Sequence, residues 1–387
     1  MSTLAIEGYR SLRQLVLPLA QLNVVTGANG SGKSSLYRAL RLLADSSRNG
    51  AVAALARQGG LPSTLWAGPE VIGRAVREGR YPVQGTVRSG PVSLRLGFAG
   101  DDFGYAMDLG LPSPTDGGSA FQLDPEIKAE AIWSGPVLRP AAVLAERGRG
   151  AVRVRQADGG WWRVPGAIQP FDSMLSEIAD PQRTPELLAL RERIRTWRFY
   201  DQLRTDANAP ARASQIGTRT FILDHDGADL AAALQTIREI GDHDALVTAI
   251  DHAFPGSRLE VAGEAGRFEL RLHQHGLLRP LHAAELSDGT LRYLFWVAAL
   301  LTPRAPALLV LNEPETSLHP DLIAPLADLA AAASARTQII VVTHNPSLVA
   351  ALSDQEARTI ELVKEHGQTA VAGQDSLDEP PWHWPKR

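Results

Sequence analysis

The chain has 387 residues, 44% of them hydrophobic, enough to bury a sizeable core in one large domain or two lobes. Cysteine is absent, which excludes disulfides, thiolate metal sites and a cysteine nucleophile, and fits a reducing compartment. The formal net charge of -4 excludes a general polyanion binder. The longest apolar run, Tyr293 to Leu301, falls far short of the roughly 20 residues that cross a bilayer. With no basic-then-apolar leader pattern at the N-terminus, the expectation is a cytoplasmic protein with no membrane partner.

Short strands are predicted at Thr3 to Gly8, Gln14 to Leu17 and Leu22 to Thr26, the last an apolar β-branched run ending in a glycine-rich turn. A helix follows from Lys33 to about Ala44. Alternating segments at Val92 to Phe98, Tyr105 to Leu109, Ala129 to Trp133 and Val152 to Arg155, separated by Gly/Pro/Asp clusters, predict an added antiparallel sheet.

Helical spacing recurs over Pro185 to Leu203 and Gly227 to Phe254, predicting a helical second lobe, and Arg258 to His273 reads as a hairpin. Then come a helix at Thr290 to Leu301, a buried strand at Ala307 to Leu311, a helix near Asp321 to Ala333 and a buried strand at Gln338 to Thr343. Continuous apolar strands separated by helices imply a mostly parallel central sheet covered on both faces, hence an α/β fold. The expected division is 1–165, first half of the core lobe; 166–290, helical lobe; 291–387, second half of the core lobe.

Only four of the 39 basic residues are lysines: Lys33, Lys128, Lys364 and Lys386. Lys33 falls in Gly27, Ala28, Asn29, Gly30, Ser31, Gly32, Lys33, Ser34, a match to the Walker A pattern between a buried strand and a helix. Glycines let backbone N–H groups turn inward around phosphate oxygens at a positive helix end. Lys33 would reach the β and γ phosphates, the Ser34 hydroxyl would ligate Mg²⁺, and Ser35 follows in the first helical turn.

Three elements follow downstream. Leu286-Ser-Asp-Gly-Thr290 opens a helix, where Ser287 and Gly289 offer a hydroxyl and backbone donors; alone it would read as an ordinary Ser/Asp cap. The apolar run from Ala307 carries Asn312, Glu313, Pro314 and Glu315 to a strand's carboxyl end, where a carboxylate can orient and deprotonate water. Thr343, His344 and Asn345 follow the next strand, and His344 gains weight from that company.

Taken in this order, the motifs resemble the ATP-binding-cassette ATPase superfamily, within it the soluble RecF-like and SMC-like heads. The resemblance implies a P-loop ATPase head binding ATP and Mg²⁺, with Lys33, Glu313 and His344 catalytic. Tyr9-Arg10-Ser11 is similar to an aromatic-basic-Ser step of those heads and would place Arg10 and Ser11 near adenine or the α-phosphate. Asp226 to Leu230 resembles the start of a second-lobe helix. The Q-loop glutamine is not assigned by it; Gln169 is preferred over Gln58 and Gln84. In such heads the signature residues of one subunit face the Walker A loop of another, so Ser287 and Gly289 would act across an ATP-dependent homodimer.

Two departures matter. Asp288 stands where the family often has glycine, and Asn312 stands where it usually has the aspartate that holds the Mg²⁺ hydration shell. An amide can accept from metal-bound water but brings no negative charge, so slow hydrolysis is expected. The span between Lys33 and Ser287 has no room for a long coiled coil, and the 43 residues after His344 are too few for a TOPRIM nuclease fold.

Residues 139–219 hold fourteen arginines against nine acidic residues. Together with the resemblance to RecF-like heads, Arg191, Arg193, Arg195, Arg198 and Arg204, with Trp197, Phe199 and Tyr200 between them, make DNA a candidate partner in repair or in defence against foreign DNA; a solvated charged face is the plainer reading of the tract itself. A separately encoded nuclease or other effector is the alternative partner. His273 and His275 lack companions at metal-ligand spacing, Asp224 to Gly227 reads as a turn, and Trp161 and Trp162 as packing residues.

Overall fold

The computed structural model describes residues 1–48, 50–68, 90–113, 119–148, 151–166, 168–201, 203–375 and 378–387. They form two compact units: Met1–Ala20, Gly27–Thr196 and Ile360–Arg387 in the first, Gln21–Thr26 and Trp197–Thr359 in the second.

The first unit is built on an eight-stranded antiparallel sheet. Its strands are β1 (Thr3–Tyr9), β2 (Leu12–Pro18), β4 (Leu94–Ala99), β5 (Phe103–Gly110), β6 (Glu126–Ser134), β7 (Val143–Gly148), β8 (Ala151–Arg155) and β9 (Trp161–Arg163), in the order β2-β1-β4-β5-β6-β7-β8-β9. Strands β7 and β9 were not anticipated, because they are short and carry mixed polar residues. Helix α1 (Lys33–Ser46) packs on β1 and β4, followed by α2 (Ala51–Arg57) and α3 (Gly60–Thr64). Helices α4 (Met174–Glu177) and α5 (Pro185–Arg195) follow the sheet in this unit.

Both faces of this sheet hold a fully buried carboxylate, and each is satisfied, as burial of charge demands. On one face Glu130 accepts from the Tyr105 hydroxyl (2.6 Å), the Ser173 hydroxyl and the Met174 N–H (2.9 Å). Burial raises its pKa, with these hydrogen bonds opposing. On the other face Asp108 accepts from Ser93 (2.9 Å), Arg95 (3.0 Å) and both oxygens from Arg387 (2.8 Å each). The C-terminal segment lies along that second face, with Trp382 edge-on to Trp133, ring centroids 5.6 Å apart. Gly97 makes room for it: a Cβ there would stand 2.6 Å from the Trp382 ring.

The second unit holds four parallel strands in the order β10 (Arg198–Tyr200), β15 (Leu308–Asn312), β16 (Gln338–Val342) and β3 (Leu22–Thr26). The residues of β15, β16 and β3 are almost all buried, the signature of a parallel sheet covered by helices. Around them are α6 (Leu230–Ile240), α7 (His243–Ala253), α8 (Asp288–Leu300), α9 (Ile323–Ser334) and α10 (Pro346–Asp354). One core cluster joins Val24, Leu309, Leu311, Ile339 and Val341 to Leu294, Trp296 and Leu326 of the helices. The Trp296 indole N–H donates to the Pro314 carbonyl at 2.9 Å, fixing the loop after β15. A small antiparallel sheet in the order β11 (Gln215–Ile216), β13 (Arg267–His273), β12 (Arg258–Glu264), with β14 (Leu281–His282) also on β13, precedes α8.

Two helix expectations are corrected. The segment Pro185 to Leu203 is not one helix: α5 ends at Arg195, and Arg198–Tyr200 pairs with β15, where the Tyr200 ring is buried. Bulky aromatics favour a covered strand, so tertiary pairing overrides the helical spacing. Gly227 to Phe254 is two helices parted at Gly241, after which the Asp242 carboxylate caps α7 by accepting from the Ala245 N–H at 2.9 Å. In the small sheet, His273 is hydrogen-bonded to Glu260.

Candidate functional site

Strand β3 runs buried to Thr26 and passes directly into the loop at Gly27. Gly27, Gly30 and Gly32 take φ of 142°, 79° and 118°, which side chains resist. At Gly27 a Cβ would stand 2.2 Å from the Leu362 carbonyl oxygen, and at Gly32 2.2 Å from Thr369 Oγ1. These two glycines are therefore fixed by space as well as by backbone angle. Ala28, Asn29 and Gly30 form the exposed crest of the loop.

Helix α1 starts at Lys33 with no side-chain cap and no acidic residue in its first turn. Its first N–H groups and positive end are thus unopposed, the condition for holding an anion. The Lys33 side chain, 8% exposed, folds under the loop, its ammonium donating to the carbonyls of Gly27 (2.5 Å) and Ala28 (3.2 Å). Ser31 Oγ is buried with no protein partner. Ser34 presents an exposed hydroxyl and Ser35 a half-buried one. A triphosphate fits this set: it would supply acceptors for the ammonium and for the orphaned Ser31 hydroxyl.

The back of the loop is held by residues that motif reading misses. Hairpin strands β17 (Arg358–Glu365) and β18 (Gln368–Val371) pair over Leu362 to Val371. Buried Thr369 donates from Oγ1 to the Ser31 carbonyl (2.6 Å) and shares a hydrogen bond with the Ser11 hydroxyl (2.9 Å), while its N–H donates to the Ser11 carbonyl (2.8 Å). Ser11 is thereby brought to the loop. Its neighbour Arg10 takes φ of 50°, and Arg10 Nε is buried with no hydrogen-bond partner. The guanidinium lies 5.7 Å from the centre of the Tyr9 ring, whose hydroxyl donates to Gln58 (2.5 Å). No sequence signal points to Thr369; only the fold brings it 338 residues back to Ser31.

Within the second unit, Asn312, Val342 and Val25 stand in register across three neighbouring parallel strands, so the chain leaves all three at one edge. Open α/β sheets form their sites at such carboxyl ends. Glu313 donates its N–H to the Val342 carbonyl (2.7 Å) and takes φ of 49°, a left-handed conformation that costs a glutamate on the order of 1 kcal/mol. Its carboxylate, half exposed, lies 3.1 Å from His344 Nδ1. The ends of β15 and β16 thus bring these two side chains within hydrogen-bond distance.

Glu315, two residues beyond Glu313, is 7% exposed. One oxygen accepts from the Thr343 hydroxyl (2.5 Å) and lies 3.9 Å from His344 Nδ1; the other is buried without a partner. The carboxyl ends of β15 and β16 therefore hold two carboxylates against one imidazole, a set able to position and deprotonate water. Asn312, half-buried at the end of β15, offers an amide oxygen to a metal-bound water.

Ser287 caps α8, its Oγ accepting from the Thr290 N–H (3.1 Å) and bonded to the Thr290 hydroxyl (2.8 Å). Gly289 packs against the loop after β15, where a Cβ would stand 2.7 Å from the Ser317 carbonyl. Asp288 accepts from Arg212 at 2.6 Å.

Among the Q-loop candidates, Gln58 is held by Tyr9 as above. The Gln169 backbone carbonyl accepts from buried Arg147 (2.7 Å), and Gln84 lies outside the described residues. In the arginine tract, Arg193 pairs with Asp102 (3.0 Å), Arg195 with Glu192 (3.1 Å) and Arg204 with Asp206 (2.9 Å). Trp197 and Tyr200 are buried and present no stacking platform. Trp161 instead lies under the guanidinium groups of Arg153 and Arg155, at 4.4 and 4.9 Å. Among the described residues no helix is long and apolar enough to cross a membrane.

A family model described as "AAA domain, putative AbiEii toxin, Type IV TA system" matches residues 22–106 and 169–350. No curated protein matches the chain. Among solved structures it is similar to an SmcHead bound to the C-winged helix domain of ScpA, at 14% identity and a TM-score of 0.49 over 96% of both chains. It is similar also to the SMC head domain from Thermotoga maritima, at 13% identity and a TM-score of 0.43 over 97% of this chain and 98% of that one. A third is an Smc head domain with an extended coiled coil bound to the C-terminal domain of ScpA derived from Pyrococcus furiosus: 13% identity, TM-score 0.49, 96% and 95% covered.

Proposed function

The chain belongs to this AAA-domain family, and from that premise we propose that it binds and slowly hydrolyses ATP with Mg²⁺ at sites shared between two copies of itself. The observation that carries the reading is the uncapped, acid-free start of α1 behind a glycine loop, with Lys33 buried beneath it. Nothing on that helix end competes with a phosphate for its N–H groups.

Lys33 would leave the carbonyls of Gly27 and Ala28 for the β and γ phosphates, and Ser34 would hold Mg²⁺, which offsets phosphate charge when bound. Arg10 and Ser11 would steady the adenine or α-phosphate end. Glu313 would take the proton of the attacking water, and His344, hydrogen-bonded to it, would donate to the γ-phosphate. Ser287 and Gly289 would meet the nucleotide of the second copy. Asn312 brings no charge to the metal, which supports slow turnover and a long-lived ATP state. Asn312→Asp is expected to raise Mg²⁺ affinity and turnover together; an unchanged metal titration and rate would make the amide neutral.

The role that fits such a clock is control of repair or of defence against foreign DNA. A second reading is an ATP-gated switch for a separately encoded effector. It is favoured by the carboxylates that pair with Arg193, Arg195 and Arg204 and by the burial of Trp197 and Tyr200, which lower the positive charge and withdraw stacking faces from that tract. Sizing Glu313→Gln protein with and without ATP, then with duplex DNA, tests both readings. A dimer on ATP alone is expected; a monomer at saturating ATP would sink the shared site. Salt-sensitive DNA binding by the ATP form would favour the first role, and its absence the second.

A further inference from the structure

Asp288 poses an electrostatic problem for the proposed shared site. A signature turn that meets the triphosphate of a second copy needs donors and positive potential, yet here a carboxylate sits in the first turn of α8 beside Ser287. Like charges brought together at an interface repel and weaken association.

Arg212 answers that charge. It closes a short 3₁₀ turn, Pro210–Arg212, and its side chain is only 10% exposed. The guanidinium donates to the Asp288 carboxylate (2.6 Å) and to the carbonyls of Ala283 (3.2 Å), Ala284 (3.2 Å) and Leu286 (2.7 Å), while its Nε donates to the Thr205 carbonyl (2.8 Å). One planar cation thus gathers three carbonyls and the carboxylate of the 283–288 turn. The clamp is itself anchored. Buried Gln215 donates to the carbonyls of Pro210 (3.2 Å) and Gly227 (2.9 Å) and accepts from the Ala231 N–H at the start of α6 (2.8 Å).

We infer that Arg212 is the positioning residue of the signature turn: it neutralises the carboxylate that replaces glycine there and fixes the turn in the shape that presents Ser287 and Gly289 to the nucleotide of a second copy. The inference rests on the shared-site reading. Asp288 and Arg212 are one device: with the arginine the acid is harmless and braces the turn, and without it the acid repels the incoming phosphates.

The test measures two quantities in Glu313→Gln protein: nucleotide affinity of the monomer, and the protein concentration at which ATP drives dimerisation. Arg212→Ala should leave the first unchanged, because the Walker A loop acts within its own chain. It should raise the second on the order of a hundredfold, about tenfold for each of two sites. Adding Asp288→Gly to Arg212→Ala should recover most of that loss, which a purely structural role for Arg212 would not predict. Should the alanine variant fail to fold, Arg212→Gln keeps donors for the carbonyls without the charge and is expected to show the same defect and the same rescue. Dimerisation of either Arg212 variant at the parental concentration, or a double variant no better than the single, overturns the inference while leaving the shared site standing. A parental protein that never dimerises on ATP overturns both.

Discussion

The chain has two helix ends that the proposed function brings to phosphate, and they are built in opposite ways. At the start of α1 there is no cap, no acid and a buried lysine; at the start of α8 Ser287 already caps the helix and Asp288 adds a carboxylate. The first end is left unsatisfied and can take an anion unaided. The second is satisfied within its own chain, so meeting a phosphate requires Ser287 to exchange partners and Asp288 to stay neutralised. The contrast suits a site in which one half captures ATP and the other closes over it only when a second copy arrives.

The larger effect should come at the bare end. Lys33→Ala removes a buried cation, and a charge-assisted hydrogen bond contributes about 1.5–3 kcal/mol, so nucleotide affinity should fall on the order of 10- to 100-fold in a binding titration. Unchanged affinity would mean that the α1 end does not hold phosphate, and the comparison would collapse. At the capped end the effect on the isolated chain should be smaller and of another kind. Ser287→Ala should lower unfolding stability by about 1 kcal/mol through loss of the cap, read as a denaturant midpoint, with monomer nucleotide affinity intact. A loss of monomer affinity there would place both ends on one nucleotide within one chain, and would break the distinction.

Legibility in the sequence follows the same divide. The glycine loop could be read because its demands are local: three left-handed backbone positions and one lysine in a lysine-poor chain. The strands delivering Glu313 and His344 could be read because buried parallel strands are unbroken apolar runs. The clamp on the signature turn could not. Arg212 lies 76 residues before Asp288 in a stretch with no periodicity, and looked like one more arginine in a rich tract. Glu315 was visible as a letter in a motif, but its burial, and the orphaned oxygen that goes with it, depend on how the loop after β15 folds under Pro314. Arg198–Tyr200 misled for a related reason: its spacing continued a helix, and only the vacant edge of β15 made it a strand.

The hydrogen bond from Thr369 to the Ser31 carbonyl also sets an order of assembly. The loop that would hold ATP is written near the beginning of the chain, yet its rear wall is supplied by a hairpin written near the end. A polypeptide still being synthesised, or one cut short before Gln368, has the glycines and the lysine but lacks the brace that fixes their shape. The rear wall of the loop is therefore complete only once synthesis has passed that hairpin.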